Sequence, residues 1–210
     1  MKKYEISRED QKSHELKKFQ QKWQNTVGRN KQRAEHIEYI KALYPDAKSI
    51  LCLGCRHESE VSQFLKSGFD ATGLDFAGTE SSLIKIGDAH NLLDYYEKSQ
   101  FDLVYSSHSL EHMHCANTVL ENIREVASMG AFIVLPSKGS LGASHCSVFD
   151  IMAAAEDGID ASAQELHSSP LMDDFTALNP YELTFFKNMD YRGGRHDRYM
   201  EIGLGLRWHE

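Results

Sequence analysis

Between residues 49 and 136 the chain repeats one pattern: a short apolar run, a stop at glycine, aspartate, serine or proline, then a connecting segment. Ser49–Leu53 stops at Gly54, Ala71–Leu74 at Asp75, Ser82–Ile86 at Gly87-Asp88, Asp102–Tyr105 at Ser106-Ser107, and Ala131–Leu135 at Pro136. Runs this short and this apolar predict parallel strands buried on both faces. Glu58–Lys66 places Val61, Phe64 and Leu65 inward on a helix, and Thr118–Ser128 does the same with Val119, Leu120, Ile123 and Val126. Right-handed crossovers between parallel strands leave a doubly wound, mostly parallel α/β sheet as the expected fold.

The flanks read differently. Residues 1–45 are expected to be a helical segment. Leu16, Phe19, Gln20, Trp23 and Val27 sample one face, and Ile37, Ile40, Ala42 and Leu43 form a second stripe before Pro45. Gly28 is expected to separate two helices. Lys12, Lys17, Lys18, Lys22, Arg29, Lys31 and Arg33 crowd the same stretch and read either as a solvated helix face or as a basic lid. Residues 1–36 are expected to cover the substrate side of a cleft in the domain formed by residues 46–210. Beyond the alternating region, Ser147–Ala155 is expected to begin a helix. Glu182–Phe186 and Arg198–Leu206 are expected to pair as a C-terminal antiparallel hairpin, turned by Gly193-Gly194.

The balance of 23 Lys and Arg against 31 Asp and Glu gives a formal net charge of −8. That disfavours nucleic acid as a partner, since neutralising phosphates takes clustered basic groups. No apolar run approaches the ~20 residues needed to span a bilayer. Met1-Lys2-Lys3-Tyr4-Glu5 leads into polar sequence rather than a signal peptide, so a cytoplasmic location is expected and no membrane partner. No pattern in the chain speaks to its oligomeric state. In that compartment the four cysteines are expected to be reduced. Cys52 and Cys55 spell C-x-x-C, the spacing of redox and zinc sites, but Cys52 lies in an apolar run as a small buried hydrophobe would. No second pair completes a structural zinc site.

Ligands of doubly wound sheets bind beyond the carboxyl ends of the strands. Three of these ends carry groups suited to an adenosyl ligand. Gly54 allows close backbone approach. Asp75 is an acceptor for two ribose hydroxyls. Asp88, with Ala89 and His90, is placed to pair with an adenine amino group.

At these residues the chain resembles the class I S-adenosylmethionine (SAM)-dependent methyltransferases, particularly the UbiE/UbiG-like group. Ile50-Leu51-Cys52-Leu53-Gly54-Cys55-Arg56 is similar to the glycine-rich first motif, and Thr72-Gly73-Leu74-Asp75 to the acidic end of the second strand. Ile86-Gly87-Asp88-Ala89-His90-Asn91-Leu92 is similar to the adenine-side motif, and the run from Phe101 to His112 to the fourth. The resemblance spans about residues 48–136. It implies a Rossmann-like fold, SAM as cofactor, and cofactor contacts from Gly54, Cys55, Arg56, Asp75, Phe76, Asp88, Ala89, His90, Ser106 and Ser107. The chain departs from the family at Cys52, where Asp or Glu is usual, and at Arg56, where a second glycine is usual. Arg56 is expected either to reach the cofactor carboxylate or to pair with Glu58 or Glu60.

Methyl transfer needs an aligned nucleophile and, for many oxygen or nitrogen acceptors, a base. His108, His112 and His145 are the candidates, with His108 first because it directly follows the fourth strand; each also reads as a hydrogen-bonded structural histidine. His108-Ser109-Leu110-Glu111-His112 also spells H-x-x-E-H, the pattern of a zinc hydrolase whose two histidines share a helical face. Its position after a buried strand opposes that reading. A G-x-G-x-x-G dinucleotide fingerprint is absent after the first strand. The expected activity is methyl transfer to a small molecule or a glycan, the alternative being a SAM-binding partner protein without catalysis.

Overall fold

Ser49–Leu53 forms a central strand whose side chains alternate between two apolar layers. Leu51 and Leu53 enter one core and Ile50 and Cys52 the other. Period-two alternation with both faces covered is why the run carries no polar residue after Ser49. The structure is a computed structural model. It describes residues 2–3, 7–20, 27–78, 80–136, 146–152, 161–191 and 199–209.

In chain order the strands are β1 (Lys2–Lys3), β2 (Ser49–Leu53), β3 (Asp70–Asp75), β4 (Ile84–Ile86), β5 (Phe101–Ser107), β6 (Ala127–Pro136), β7 (Ser147–Val148), β8 (Tyr181–Tyr191) and β9 (Tyr199–Trp208). The α-helices are α1 (Arg8–Gln20), α2 (Val27–Leu43), α3 (Glu58–Lys66), α4 (Ala116–Val126) and α5 (Ala163–His167). Among the described residues, seven strands form one sheet in the order β4-β3-β2-β5-β6-β9-β8. β2 to β6 run parallel, and β9 is antiparallel to both β6 and β8. The fold is therefore the Rossmann-like, mostly parallel sheet with a C-terminal antiparallel pair. One face is covered by α2 and α3 through Ile37, Ile40, Val61 and Phe64. The other is covered by α4 and the 3₁₀ turns of Pro170–Leu178, through Val119, Leu120, Ile123, Phe175 and Leu178. No helix among the described residues is long and apolar enough to cross a membrane.

Several boundaries differ from the sequence reading, each for a local reason. The third strand is Ile84–Ile86 rather than 82–86, because the Ser81 hydroxyl accepts the N–H groups of Leu83 and Ile84 and holds a turn there. Residues 127 and 128, read as the end of a helix, belong to β6. Ala127 pairs with Phe101 ahead of a bulge, and its carbonyl accepts from the Trp208 indole at 3.0 Å. Both bonds come from distant strands that helical spacing does not reveal. Ser147–Val148 is a strand paired with β1, so within the span expected to begin a helix the first helical residues are Ile151 and Met152, and residues 153–160 lie outside the described residues. Gly28 lies inside α2, which begins at Val27, and so does not separate two helices. The C-terminal strands are longer than expected; the connection with Gly193-Gly194 falls outside the described residues, as does Trp23.

Where β6 meets β9 the backbones lie against each other and against α2. Tyr44, buried just past α2, donates its hydroxyl to the Leu206 carbonyl at 2.9 Å, and burial pushes its pKa up to about 12. A Cβ at Gly130 would sit 2.1 Å from the Leu206 carbonyl oxygen and 3.2 Å from the Tyr44 ring. Gly130→Ala is therefore expected to destabilise the fold by about 1–3 kcal/mol, the usual cost of overpacking. Urea denaturation checks this as a lower midpoint at unchanged slope.

Candidate functional site

The central parallel strands end level with one another. Leu53 pairs with Leu74 on one side and with Ser106 on the other, so β2, β3 and β5 release their chains at the same edge. Gly54, Asp75, Asp88 and His108 line a cleft there, together with Arg8, Gln11 and Glu15 from α1. The cleft is open to solvent on one side and extends over about 640 Å³ when its mouth is included.

Gly54 leaves β2 at φ +72°. A side chain there is excluded first by the protein itself, since its Cβ would fall 1.8 Å from the Ser109 hydroxyl. The next turn is held by Asp75. One of its carboxylate oxygens accepts the Arg56 N–H at 2.7 Å and the other the Ala77 N–H at 2.8 Å. Burial raises the Asp75 pKa, and the two backbone bonds oppose that rise. Each carboxylate oxygen has a second acceptor direction, so the group that shapes the loops also fits a pair of ribose hydroxyls.

At the adenine side, Asp88 caps the turn that follows β4 by accepting the His90 N–H at 3.0 Å. Its carboxylate also contacts His90 Nδ1 at 2.6 Å and pairs with Arg8. His90 Nε2 accepts the Cys115 N–H at 3.1 Å, which places the ring proton on Nδ1, toward Asp88. Burial, reinforced by the Arg8 charge, lowers the His90 pKa and keeps the ring neutral. His90 thus joins the Asp88 turn to the start of α4, and it also lines the cleft beside Ala89. The Phe76 ring has the Lys12 ammonium 5.5 Å from its centre.

Not every expected contact is in the cleft. Cys55, Ser106 and Ser107 are absent from its lining. The Cys55 thiol packs toward Gly73, and burial holds it, like that of Cys52, well above the usual thiol range. Ser106 is fully buried, and its hydroxyl has no hydrogen-bond partner among the described residues. Ser107 lies by the Tyr105 hydroxyl and opposes in part the rise that burial gives its pKa. Arg56 pairs with neither Glu58 nor Glu60; its guanidinium meets Glu15 of α1. His145 lies outside the described residues. The H-x-x-E-H run is not a helix: His108 sits at φ +51° at the end of β5, and a single 3₁₀ turn, Leu110–His112, follows. Among the described residues no cluster of three or more potential ligands could hold a metal.

His108 is held by a residue that sequence reasoning missed. Its Nε2 lies 2.6 Å from the Glu201 carboxylate, which is 1 % exposed at the start of β9. The pairing of β9 with β6 sets Glu201 opposite Pro136 and so beside the end of β5. The other Glu201 oxygen faces His36 Nε2 at 3.4 Å and Gln32, and His36 Nδ1 meets the Tyr105 hydroxyl at 2.9 Å. Burial favours a neutral Glu201, but the two histidines outweigh it and hold its pKa down to about 2. Burial likewise opposes a charged His108, and the Glu201 bond outweighs that, so the His108 pKa is raised. The only sequence signal for Glu201 was a lone carboxylate heading an otherwise apolar strand. His112 lies near Glu15 and Glu111, 3.7 Å from each.

The donor set fits an adenosyl amino acid, with Asp75 central, Asp88 and His90 at one end, and Arg56 and Glu15 at the other. Asp75→Ala is expected to weaken binding of S-adenosylhomocysteine by about 5- to 150-fold, equivalent to about 1–3 kcal/mol for a lost buried partner. Titration calorimetry reads this directly.

Comparison with known proteins agrees with the geometry. A methyltransferase-domain family model matches residues 51–135, the part that builds the cleft floor. No curated protein matches the chain significantly. Among solved structures, 1,6-didemethyltoxoflavin-N1-methyltransferase from Burkholderia thailandensis is similar at 11% identity and TM-score 0.61, over 94% of this chain and 85% of that one. Magnesium protoporphyrin IX methyltransferase from Synechocystis PCC 6803 is similar at 10% identity and TM-score 0.52, over 97% and 90%. The [4+2]-cyclase SpnF is similar at 12% identity and TM-score 0.56, over 83% and 80%. Fold likeness at such identity does not fix chemistry; the matched domain and the strand-end groups that fit the cofactor carry the assignment. Residues 51–135 thus match the methyltransferase-domain family, and the chain shares its fold with these methyltransferases.

Proposed function

We propose that the protein transfers a methyl group to a hydroxyl or amine of a small molecule or glycan, with His108 receiving the acceptor's proton. The observation that carries this reading is the 2.6 Å contact between His108 and buried Glu201 at the rim of the cofactor cleft. When bound, SAM supplies an activated methyl group on a sulfonium, so the protein has to align the acceptor and dispose of a proton.

A carboxylate only accepts hydrogen bonds, so in the neutral ring Nε2 carries the proton toward Glu201 and Nδ1 is the basic atom. Proton uptake at Nδ1 makes an imidazolium that the buried Glu201 charge stabilises. Glu201 also fixes the ring's rotation. The main chain at His108 is held as well, since its N–H donates to the Val134 carbonyl at 3.0 Å despite the positive φ. A non-glycine residue held in that conformation costs about 1–3 kcal/mol, which the surrounding bonds must offset.

The net charge of −8 supports an acceptor that is not a nucleic acid. A screen of hydroxyl- and amine-bearing small molecules and oligosaccharides with methyl-labelled SAM tests the acceptor class. Cofactor binding with no label transfer to any of them would instead support a non-catalytic partner protein.

With an acceptor in hand, His108→Ala is expected to lower kcat by about 10²- to 10⁴-fold while cofactor affinity is retained. Protonated His108 is inactive as a base, so kcat/KM should rise with pH through a midpoint above the ordinary histidine value of 6.5. Glu201→Gln removes the charge that raises it, so that midpoint should move down. An unmoved midpoint in Glu201→Gln, with the fold intact by circular dichroism, rules out His108 as the titrating base.

A further inference from the structure

The charged face of α1 is turned into the cleft. Arg8, Gln11 and Glu15, spaced by three and four residues on one side of the helix, all line it, and Gln11 and Glu15 are buried. Burying a carboxylate on an otherwise solvated helix is costly unless the charge is paired. Glu15 pairs with Arg56, and His112 Nδ1 lies 3.7 Å from it.

This ion pair stands at one end of the cleft, beside Gly54. Asp75 occupies the middle and Asp88 the other end. A cofactor with its ribose at Asp75 and its adenine toward Asp88 brings its amino-acid end to Arg56 and Glu15. That end is a zwitterion, an α-ammonium and an α-carboxylate on one carbon. β2 supplies no charge to meet it, because Cys52 is fully buried and its thiol is neutral. We infer that Glu15 of α1 receives the cofactor's α-ammonium while Arg56 receives its α-carboxylate. The zwitterion enters between two groups already paired with each other. One ion pair is exchanged for two, the net charge of the cleft is unchanged, and neither charge is left alone. α1 is on this account part of the cofactor site, and the first helical segment does more than cover an acceptor.

The inference rests on the cofactor assignment, and two probes separate the two. S-adenosylhomocysteine has the amino-acid end, whereas 5′-methylthioadenosine has the same nucleoside and thioether without it. By calorimetry, Glu15→Gln should weaken S-adenosylhomocysteine binding by about 10- to 100-fold, the loss expected for a charge-assisted bond. Its affinity for 5′-methylthioadenosine should stay within about twofold of wild type, which also reports that the variant is folded. In the wild-type protein, hydrogen exchange across α1 should slow with S-adenosylhomocysteine and change less with 5′-methylthioadenosine. Equal losses for both probes, or no loss for S-adenosylhomocysteine, would overturn the role of Glu15 and leave the cofactor assignment standing. A wild-type protein that binds neither probe would overturn both.

Discussion

The level register of three parallel strands is the constraint on which the site depends. With Leu53 opposite Leu74 and Ser106, the chain leaves β2, β3 and β5 at one height. The short-range bonds that shape the cleft then become possible. Asp75 can reach the Arg56 N–H only because β3 ends beside the turn after β2, and that turn in turn aims Arg56 at α1. A slip of one residue would exchange the two faces of a strand and move every one of these groups. The two apolar layers forbid such a slip, since it would turn Leu51 and Leu53 into the layer filled by Ile50 and Cys52.

Much of this was legible in the chain because doubly buried parallel strands leave a plain mark: apolar without interruption, then stopped by a residue that suits a turn. Gly54, Asp75 and Asp88 were found that way, as residues that end strands. Phase was harder to read. Ser106 and Ser107 both end β5, and periodicity alone does not say which faces what; the structure buries Ser106 and turns Ser107 to Tyr105. Partnership across long separations was not legible at all. Glu201 meets His108 through an antiparallel pairing across 93 residues. Glu15 looks like any carboxylate on a charged helix until α1 is laid over the cleft. In both cases the residue type was visible and its neighbour was not.

Glu201 also shows how the antiparallel strands serve the parallel ones. A buried carboxylate is tolerable only when its lone pairs are taken up, and here His108 and Gln32 do so, with His36 Nε2 3.4 Å away. His36 belongs to α2 and reaches on to Tyr105 of β5. One charge at the head of β9 therefore ties together the end of β5, the covering helix and the antiparallel part of the sheet. β9 thus completes a polar network whose other members lie between residues 32 and 108.

The seating of α1 has a consequence of its own. The core is assembled from aliphatic and aromatic side chains, whose association dissolved ions scarcely weaken. α1 is different: the described side chains it buries are Gln11 and Glu15, and it is fastened by Arg8 to Asp88, Glu15 to Arg56, and Lys12 over Phe76. Attractions of that kind are screened at their exposed ends over a Debye length of about 8 Å at physiological ionic strength. Rising salt should therefore loosen this helix well before it touches the sheet. Ionic strength becomes a control on access to the cleft, acting on one element and sparing the rest.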